Sequence, residues 1–501
     1  MEFILIILSS ILFTIPYYFP ALFFLSWLAF IPLIYLIKDY DYSHSFIIAL
    51  LVGLLNSIFS LYWLYQPLSS VLKMPFSFNL FILFIYFLIS ALPLALWVLL
   101  NKFLQPEYSY SPFIAALSWT VIEYLRFEFF NFNPFNYFAY TQSAFSVVVQ
   151  YAAYGGIFLV SFISVLIASY ILKIYLDPAW KKAVPLVFIL LLLVVIPFFI
   201  QSTPELEVNR KSVDLLVAKS GEAENVFEKI EKEISNLSSL AADSKSEFIF
   251  TPAKSLSFDL IRNNYYRDQL FSQLESSLEA SYLQLGAEAA AETSYNAEIL
   301  NSLFLISEEM DFINRSNQQR NILAGINFPY LEELRSFAET YLNISSDLIE
   351  NNSPAAAVEL EELKCLNLFA GEIFIPLVSR KENYASGQNL IVYSAAEASI
   401  DSNLYNNLSF AAGVYRAAET NTDLIRAVSD GYSGQINERG KIIFKKRIEN
   451  NHQTVDLILQ NKESYYQRYP ERIINIIISI FLMITLIKVI MLLKNKWSSR
   501  D

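Results

Sequence analysis

Apolar positions gather into eight long runs, at roughly 3–16, 20–37, 46–65, 77–101, 111–126, 147–175, 184–201 and 473–493. Most of them reach the about 17 to 25 residues that a helix needs to cross a bilayer. The pattern therefore predicts seven spans, a long polar interval and an eighth span near the end. The first run carries Glu2 and no basic leader, which reads as a helix and not as a cleaved signal peptide. Inside the interval the period changes. Short apolar runs at Val213–Val217, Glu247–Pro252, Ile322–Ile326, Leu363–Phe369 and Leu390–Tyr393 alternate with helical stretches such as Leu408–Glu419. Strands alternating with helices predict a layered α/β domain, with chemistry at the ends of its strands. The expected organisation is a seven-span domain over 1–204, an inserted α/β sandwich over 205–470, and a last span with a basic tail over 471–501.

Composition supports lipid as the solvent for much of the chain, since 54% of the 501 residues are hydrophobic and 16% aromatic, more than the about 45 to 50% apolar content of soluble domains. Charge is distributed unevenly. Residues 205–470 hold 24 basic and 39 acidic side chains, a net of −15, which argues against a nucleic-acid partner because phosphate backbones are bound by clustered Lys and Arg. Basic residues near span ends resist translocation, so Lys494, Lys496 and Arg500 place the C-terminus in the cytoplasm. Counting back, the connections with Lys181 and Lys182, with Lys102 and with Lys38 are cytoplasmic too, and the acidic domain is outside; Lys73 runs against this.

The chemistry available is narrow. His44 and His452 are the only histidines, which excludes a multi-histidine metal site and a histidine-based triad. Cys365 is the only cysteine, which excludes internal disulfides and thiolate clusters. No metal or cofactor is expected. Taken alone, Cys365 is either a buried filler or a nucleophile. Within the spans, Glu123 and Arg126 are three apart on one helix face, placed to pair with each other. The aromatic stretch Phe127–Phe145, with Asn131, Asn133, Pro134, Asn136 and Gln142, has the composition of an interfacial segment that would floor a cavity for lipid head groups.

A set of ordered motifs adds to this: Tyr62-Trp63, Glu123-Tyr-Leu-Arg126, Pro134 with Tyr140-Thr-Gln142, and Gln150 to Tyr154-Gly-Gly156 leading to Val160-Ser-Phe162. In the acidic domain follow Tyr415-Arg-Ala-Ala-Glu-Thr420, Ile425-Arg-Ala427, Gly431 and Glu438-Arg-Gly440. Span count, insertion point and motif order together resemble the apolipoprotein N-acyltransferase family of bacterial inner membranes, which carries a nitrilase-like domain between its last two of eight spans, on the periplasmic side. The resemblance implies acyl transfer. A Cys would take a fatty acyl group from a phospholipid as a thioester and pass it to the N-terminal amine of a lipid-modified lipoprotein precursor, with a Glu as base and a Lys at the oxyanion.

Laid onto the motifs of that family, this chain keeps the scaffold and loses polar partners. Cys365 falls at the nucleophile position, with Gly371-Glu372 at the family's distance from it. Ala253 stands in place of the base Glu and Gln319 in place of the Lys. Asn327 and Asn367 replace acidic residues in the binding positions, beside Glu372, and Tyr393-Ser-Ala-Ala-Glu397 departs from a further polar element. Two functions follow: an N-acyltransferase working through Cys365, or a catalytically degenerate relative that binds lipid or lipoprotein at the membrane. A soluble-type nitrilase or amidase activity has no use for eight spans. The expected site has Cys365 at the end of a strand, facing a cleft shared with Ala253 and Gln319. It opens toward the bilayer, with Phe and Tyr of 127–145 at its mouth.

Overall fold

The computed structural model describes residues 1–72, 75–105, 111–130, 133–178, 180–201, 209–219, 223–290, 299–318, 358–360, 362–376, 387–397, 400, 402–459 and 463–498. Its first two hundred residues are helical: α1 (Glu2–Tyr18), α2 (Leu25–Leu28), α3 (Phe30–Ile37), α4 (Tyr42–Leu61), α5 (Tyr65–Leu72), α6 (Phe76–Leu104), α7 (Pro112–Phe130), α8 (Ser146–Val149), α9 (Ala152–Leu176) and α10 (Trp180–Gln201). Among the described residues four helical stretches are long and apolar enough to cross a membrane, Tyr42–Ser69, Phe76–Leu104, Ala152–Leu176 and Arg472–Asn495. Three shorter apolar helices accompany them at Glu2–Tyr18, Leu25–Ile37 and Ala183–Val195. The run at 20–37 is divided between a 3-10 turn and the short helices α2 and α3. Pro20 opens that turn, Pro20–Leu22, at a first position where its missing N–H costs no hydrogen bond.

The interval between α10 and the last helix folds as an α-β-β-α sandwich, the layered α/β arrangement expected. One sheet has the strand order β13-β1-β2-β4-β5-β6, with β3 beside β4. It comprises β1 (Asn209–Val217), β2 (Phe248–Phe250), β3 (Leu256–Asp259), β4 (Tyr282–Ala290), β5 (Ile299–Ser307), β6 (Phe312–Asn317) and β13 (Asn451–Leu459). The other has the order β12-β11-β10-β9-β8-β7, built from β7 (Val358–Glu359), β8 (Lys364–Phe369), β9 (Leu390–Ala396), β10 (Asp423–Ser429), β11 (Ser433–Ile436) and β12 (Ile442–Lys446). Both have a parallel centre, β1 with β2 and β4 in one, β8 with β9 and β10 in the other. Parallel strands are stable when both faces are covered, and here one face of each sheet meets the other sheet while helices cover the outer faces.

The helices α11 (Val226–Ala242) and α12 (Asn264–Glu275) pack on the first sheet through Ile230, Ile234, Leu237, Leu270 and Leu274. The outer face of the second sheet meets α13 (Asn403–Thr420), which is buried along nearly its whole length. Its other side meets the membrane helices. Tyr405, Leu408, Tyr415 and Ala418 share one core with Tyr17, Trp63, Phe135, Tyr140 and Phe158. The chain returns to the membrane through a short helix α14 (Tyr465–Arg468) into α15 (Arg472–Ser498).

Candidate functional site

The place that corresponds to the base position is a turn after β2. Thr251 ties it to β4, since its N–H donates to the Gln284 carbonyl at 3.0 Å and its hydroxyl accepts from Gly286 N–H at 2.9 Å. A Cβ on Gly286 would stand 1.9 Å from the Pro252 carbonyl oxygen. Only glycine lets the turn lie this close to β4. Ala253 is thereby held inward, buried against Leu303 of β5 and Phe369 of β8. Its neighbour Lys254 takes a left-handed conformation, φ 59°, and pairs with Glu288 at 3.4 Å on an open surface. The left-handed turn and this pairing direct Lys254 away from the place where a base would act.

Cys365 is the second residue of β8, paired with Val358 and Leu390. Its side chain lies between the sheets, 1% exposed, among Val213, Leu215, Val392, Ile425 and Leu457. Burial pushes the thiol well above its ordinary pKa, so the thiolate that would attack an ester is suppressed. This corrects the expectation that Cys365 ends a strand beside Ala253. The residue of β8 that touches Ala253 is Phe369, four positions further along and roughly 13 Å away at about 3.3 Å per residue.

The end of β8 is occupied by Phe369, then by a turn at Ala370 and Gly371, with φ 83° at the glycine. A 3-10 turn, Glu372–Phe374, follows. The Glu372 carboxylate folds back to accept the Phe369 N–H at 3.1 Å and is buried. Asn367 points, like Cys365 and Phe369, toward the first sheet, where its amide donates to Ser316 Oγ at 3.0 Å. Sequence reasoning passed over Ala370. The signal was present: the apolar run Leu363–Phe369 is a strand, sites form at strand ends, and that rule points to residues 369–371. Gln319 and Asn327 lie outside the described residues.

On the membrane side, Glu123 and Arg126 each turn to the segment after α7. Glu123 Oε1 accepts from the Phe138 N–H at 2.8 Å, and Arg126 Nη1 donates to Asn136 Oδ1 at 2.9 Å while its guanidinium lies 4.7 Å from the centre of the Tyr137 ring. The expected pairing of the two charges gives way to a clasp on this segment. Between them is a cavity of about 40 Å³, lined in part by Tyr17, Asn56, Ser90 and Asn136. At about 10 to 15 Å³ per water that is room for a few waters and not for an acyl chain. Of the rings expected at a cavity mouth, Phe127, Phe135, Tyr137, Phe138 and Tyr140 are buried and Phe145 is half-buried; Phe135 packs edge-on against Phe374, and the Ala139 carbonyl accepts the Tyr415 hydroxyl at 2.5 Å. They form the seat of the sandwich. A larger cleft, about 480 Å³, lies among Arg210, Lys211, Asp214, Lys245 and His452 and holds none of the expected site residues.

A helical membrane domain with an α-β-β-α sandwich inserted before its last helix defines the class. Within it, the chain is similar to the apolipoprotein N-acyltransferases. Residues 9–170 match the apolipoprotein N-acyltransferase N-terminal domain. Over 496 residues the chain is 23% identical to the apolipoprotein N-acyltransferase of Geobacter metallireducens, covering 94% of this chain and 92% of that protein. Among solved structures, a double mutant of the amidase from Nesterenkonia sp. AN1 with acrylamide is 13% identical, covering 55% of this chain and 98% of that one at a TM-score of 0.36. Nit3 of Saccharomyces cerevisiae, a member of the nitrilase superfamily, is 11% identical over 54% of this chain and 98% of that one, with a TM-score of 0.38.

Proposed function

We propose that this chain is a catalytically degenerate relative of the apolipoprotein N-acyltransferases, which holds membrane lipid or lipid-modified lipoprotein precursors without transferring an acyl group. In this reading it lies in a bacterial inner membrane with eight spans, its sandwich of 205–470 on the periplasmic side and the tail of 471–501 inside. One observation carries the reading: the strand end that faces the base position puts Phe369 against Ala253, with Ala370 next along the chain, while the single thiol is shut between the sheets. A nucleophile, a base and an oxyanion donor act only within hydrogen-bond reach of one another; the described side chains at this strand end supply no nucleophile, and their carboxylate, Glu372, is buried on the Phe369 N–H.

The test is acylation by the purified full-length chain supplied with labelled phospholipid. No thioester is expected on the unaltered protein, and Cys365→Ser is expected to leave the readout unchanged. Installing Ala370→Cys, Ala253→Glu and Gln319→Lys together is expected to produce thioester where each alone does not, because groups that act as a unit are strongly non-additive and an oxyanion donor alone is worth about 10² to 10³ in rate. Robust acyl transfer by the unaltered chain that disappears with Cys365→Ser would overturn the reading and make the chain an acyltransferase.

A further inference from the structure

The open edge of the second sheet carries a feature unrelated to acyl transfer. Its last strand and the flanking residues read Lys441-Ile-Ile-Phe-Lys-Lys-Arg447, four cations without an acid, inside a domain that is otherwise strongly acidic. Among the described residues β12 has a strand partner on one side alone, β11. Two anchors fix where this edge runs. At the hairpin tip Gly440, φ 74°, lies so close to the membrane domain that a Cβ would stand 2.7 Å from Val149 of α8 and 2.9 Å from the Val414 carbonyl. Further along, Lys445 donates to Asn407 Oδ1 at 2.8 Å, and the Asn407 amide donates to the carbonyls of Tyr17 and Tyr18, at 3.3 and 2.9 Å, where α1 ends. The strand therefore passes over the ends of α1 and α8, level with the boundary of the apolar helices.

At that level Ile442 and Ile443 are 40% and 51% exposed, and Lys441, Lys446 and Arg447 are exposed beside them. Charges on an open edge are a common guard against edge-to-edge aggregation, but such an edge does not also leave two adjacent isoleucines open. Apolar side chains interleaved with Lys and Arg, at the depth where helices leave the bilayer, are the composition of an element that lies on an anionic lipid surface. We infer that β12 and its turn rest in the head-group layer, with Ile442 and Ile443 at the acyl boundary and Lys441, Lys446 and Arg447 on the phosphates of anionic lipids. The strip would hold the sandwich against the bilayer and gather anionic lipid beneath it, whatever the sandwich does with an acyl group.

The experiment uses the full chain in nanodiscs of phosphatidylcholine, with and without phosphatidylglycerol. On a Cys365→Ser background a single fluorescent label is placed by Ile443→Cys or, as a distal control on α12, by Tyr265→Cys. With anionic lipid the label at 443 should be quenched by lipid-borne nitroxide, report a depth about 5 to 10 Å into the head-group and acyl boundary, and resist aqueous iodide. The label at 265 should do the reverse. Combining Lys441→Glu, Lys446→Glu and Arg447→Glu should lift the label at 443 toward water in anionic discs alone. Equal iodide access at 443 and 265 overturns the inference. So does shielding at 443 that requires an added lipidated peptide, which would make the edge a peptide-binding strand. If the triple variant fails to fold, the two single labels still decide.

Discussion

The two faces of the second sheet are built in opposite ways. On the face toward α13 and the membrane, charged groups are buried and paired. Arg416 and Glu419 meet at 2.7 Å with no exposure, Arg416 also donates to the Ile375 carbonyl, and Glu419 accepts the N–H of Ile157 at 3.1 Å. That N–H belongs to the point where α9 is broken at Gly155 and Gly156. Nearby, Arg426 is stacked between Tyr393 and Phe410, at 4.4 and 4.2 Å, and donates to Ser409 and to Glu397. On the opposite face, toward the first sheet, Cys365, Phe369 and Ala253 are apolar contacts. A buried charge survives in a protein only where its partner survives with it. The motifs Tyr415 to Thr420 and Ile425 to Ala427 thus act as fasteners, while Cys365 and Phe369 on the other face are packed as core.

The sharpest way to break the contrast is to remove one member of a fastener. Arg416→Met should leave Glu419 buried without its cation and cost about 3 to 5 kcal/mol, seen as loss of folded protein or a steep fall in the melting temperature in detergent. Because Glu419 also holds the N–H of Ile157, the loss should be accompanied by faster proteolysis between the sandwich and α9. A variant as stable as the parent would mean that the pair is decoration and that the asymmetry between the faces has no energetic basis.

A smaller effect is readable by pH. Asp423, at the start of β10, accepts the N–H groups of Glu438 and Ile458 and lies buried where the two sheets meet. Burial outweighs these bonds and raises its carboxyl to about 6 from the ordinary 3.8. A raised folded-state value means that the native protein binds the proton more tightly than the unfolded chain, so this group's contribution is complete below about 3.8 and is lost as pH climbs through 6. Two units correspond to about 3 kcal/mol at most. Stability of the parent relative to Asp423→Asn should therefore fall between pH 4 and 7, and a difference that stays flat would show the carboxylate to be well compensated.

These contrasts mark how far the sequence could be followed. Long apolar runs declare membrane helices by composition, and Val213–Val217 or Leu390–Tyr393 declare buried strands by β-branched content, so the division into a membrane part and a layered sandwich was legible. The hairpin of β4 and β5 was not, because Gly286, Ala287, Glu288, Ala289 and Ala290 have weak strand propensity and are kept extended by the turn at Pro252 and by pairing with β5. In the site, residue identity was easier to read than residue position. That Ala253 is no base is plain from its side chain. Where Cys365 points depends on the place of the residue along β8, since the contact with Ala253 falls to Phe369 on the same face and four residues on.

The smallest expected effect tests that last point most directly. If Cys365 is a filler between the sheets, its replacement should follow the rules of cores and not those of active sites. Cys365→Val keeps an apolar side chain of similar volume and should cost less than about 1.5 kcal/mol, as volume-conserving core changes do. Cys365→Ser should cost more, because its hydroxyl would be buried among Val213, Leu215 and Val392, and an unpaired buried hydroxyl costs about 1 to 3 kcal/mol. For a catalytic thiol the order would be different: stability nearly indifferent to both changes, and lipid chemistry abolished by both. Melting temperatures of the two variants in the same detergent, ranked as Val above Ser, fit a filler. Equal temperatures together with lost acylation would return Cys365 to the site.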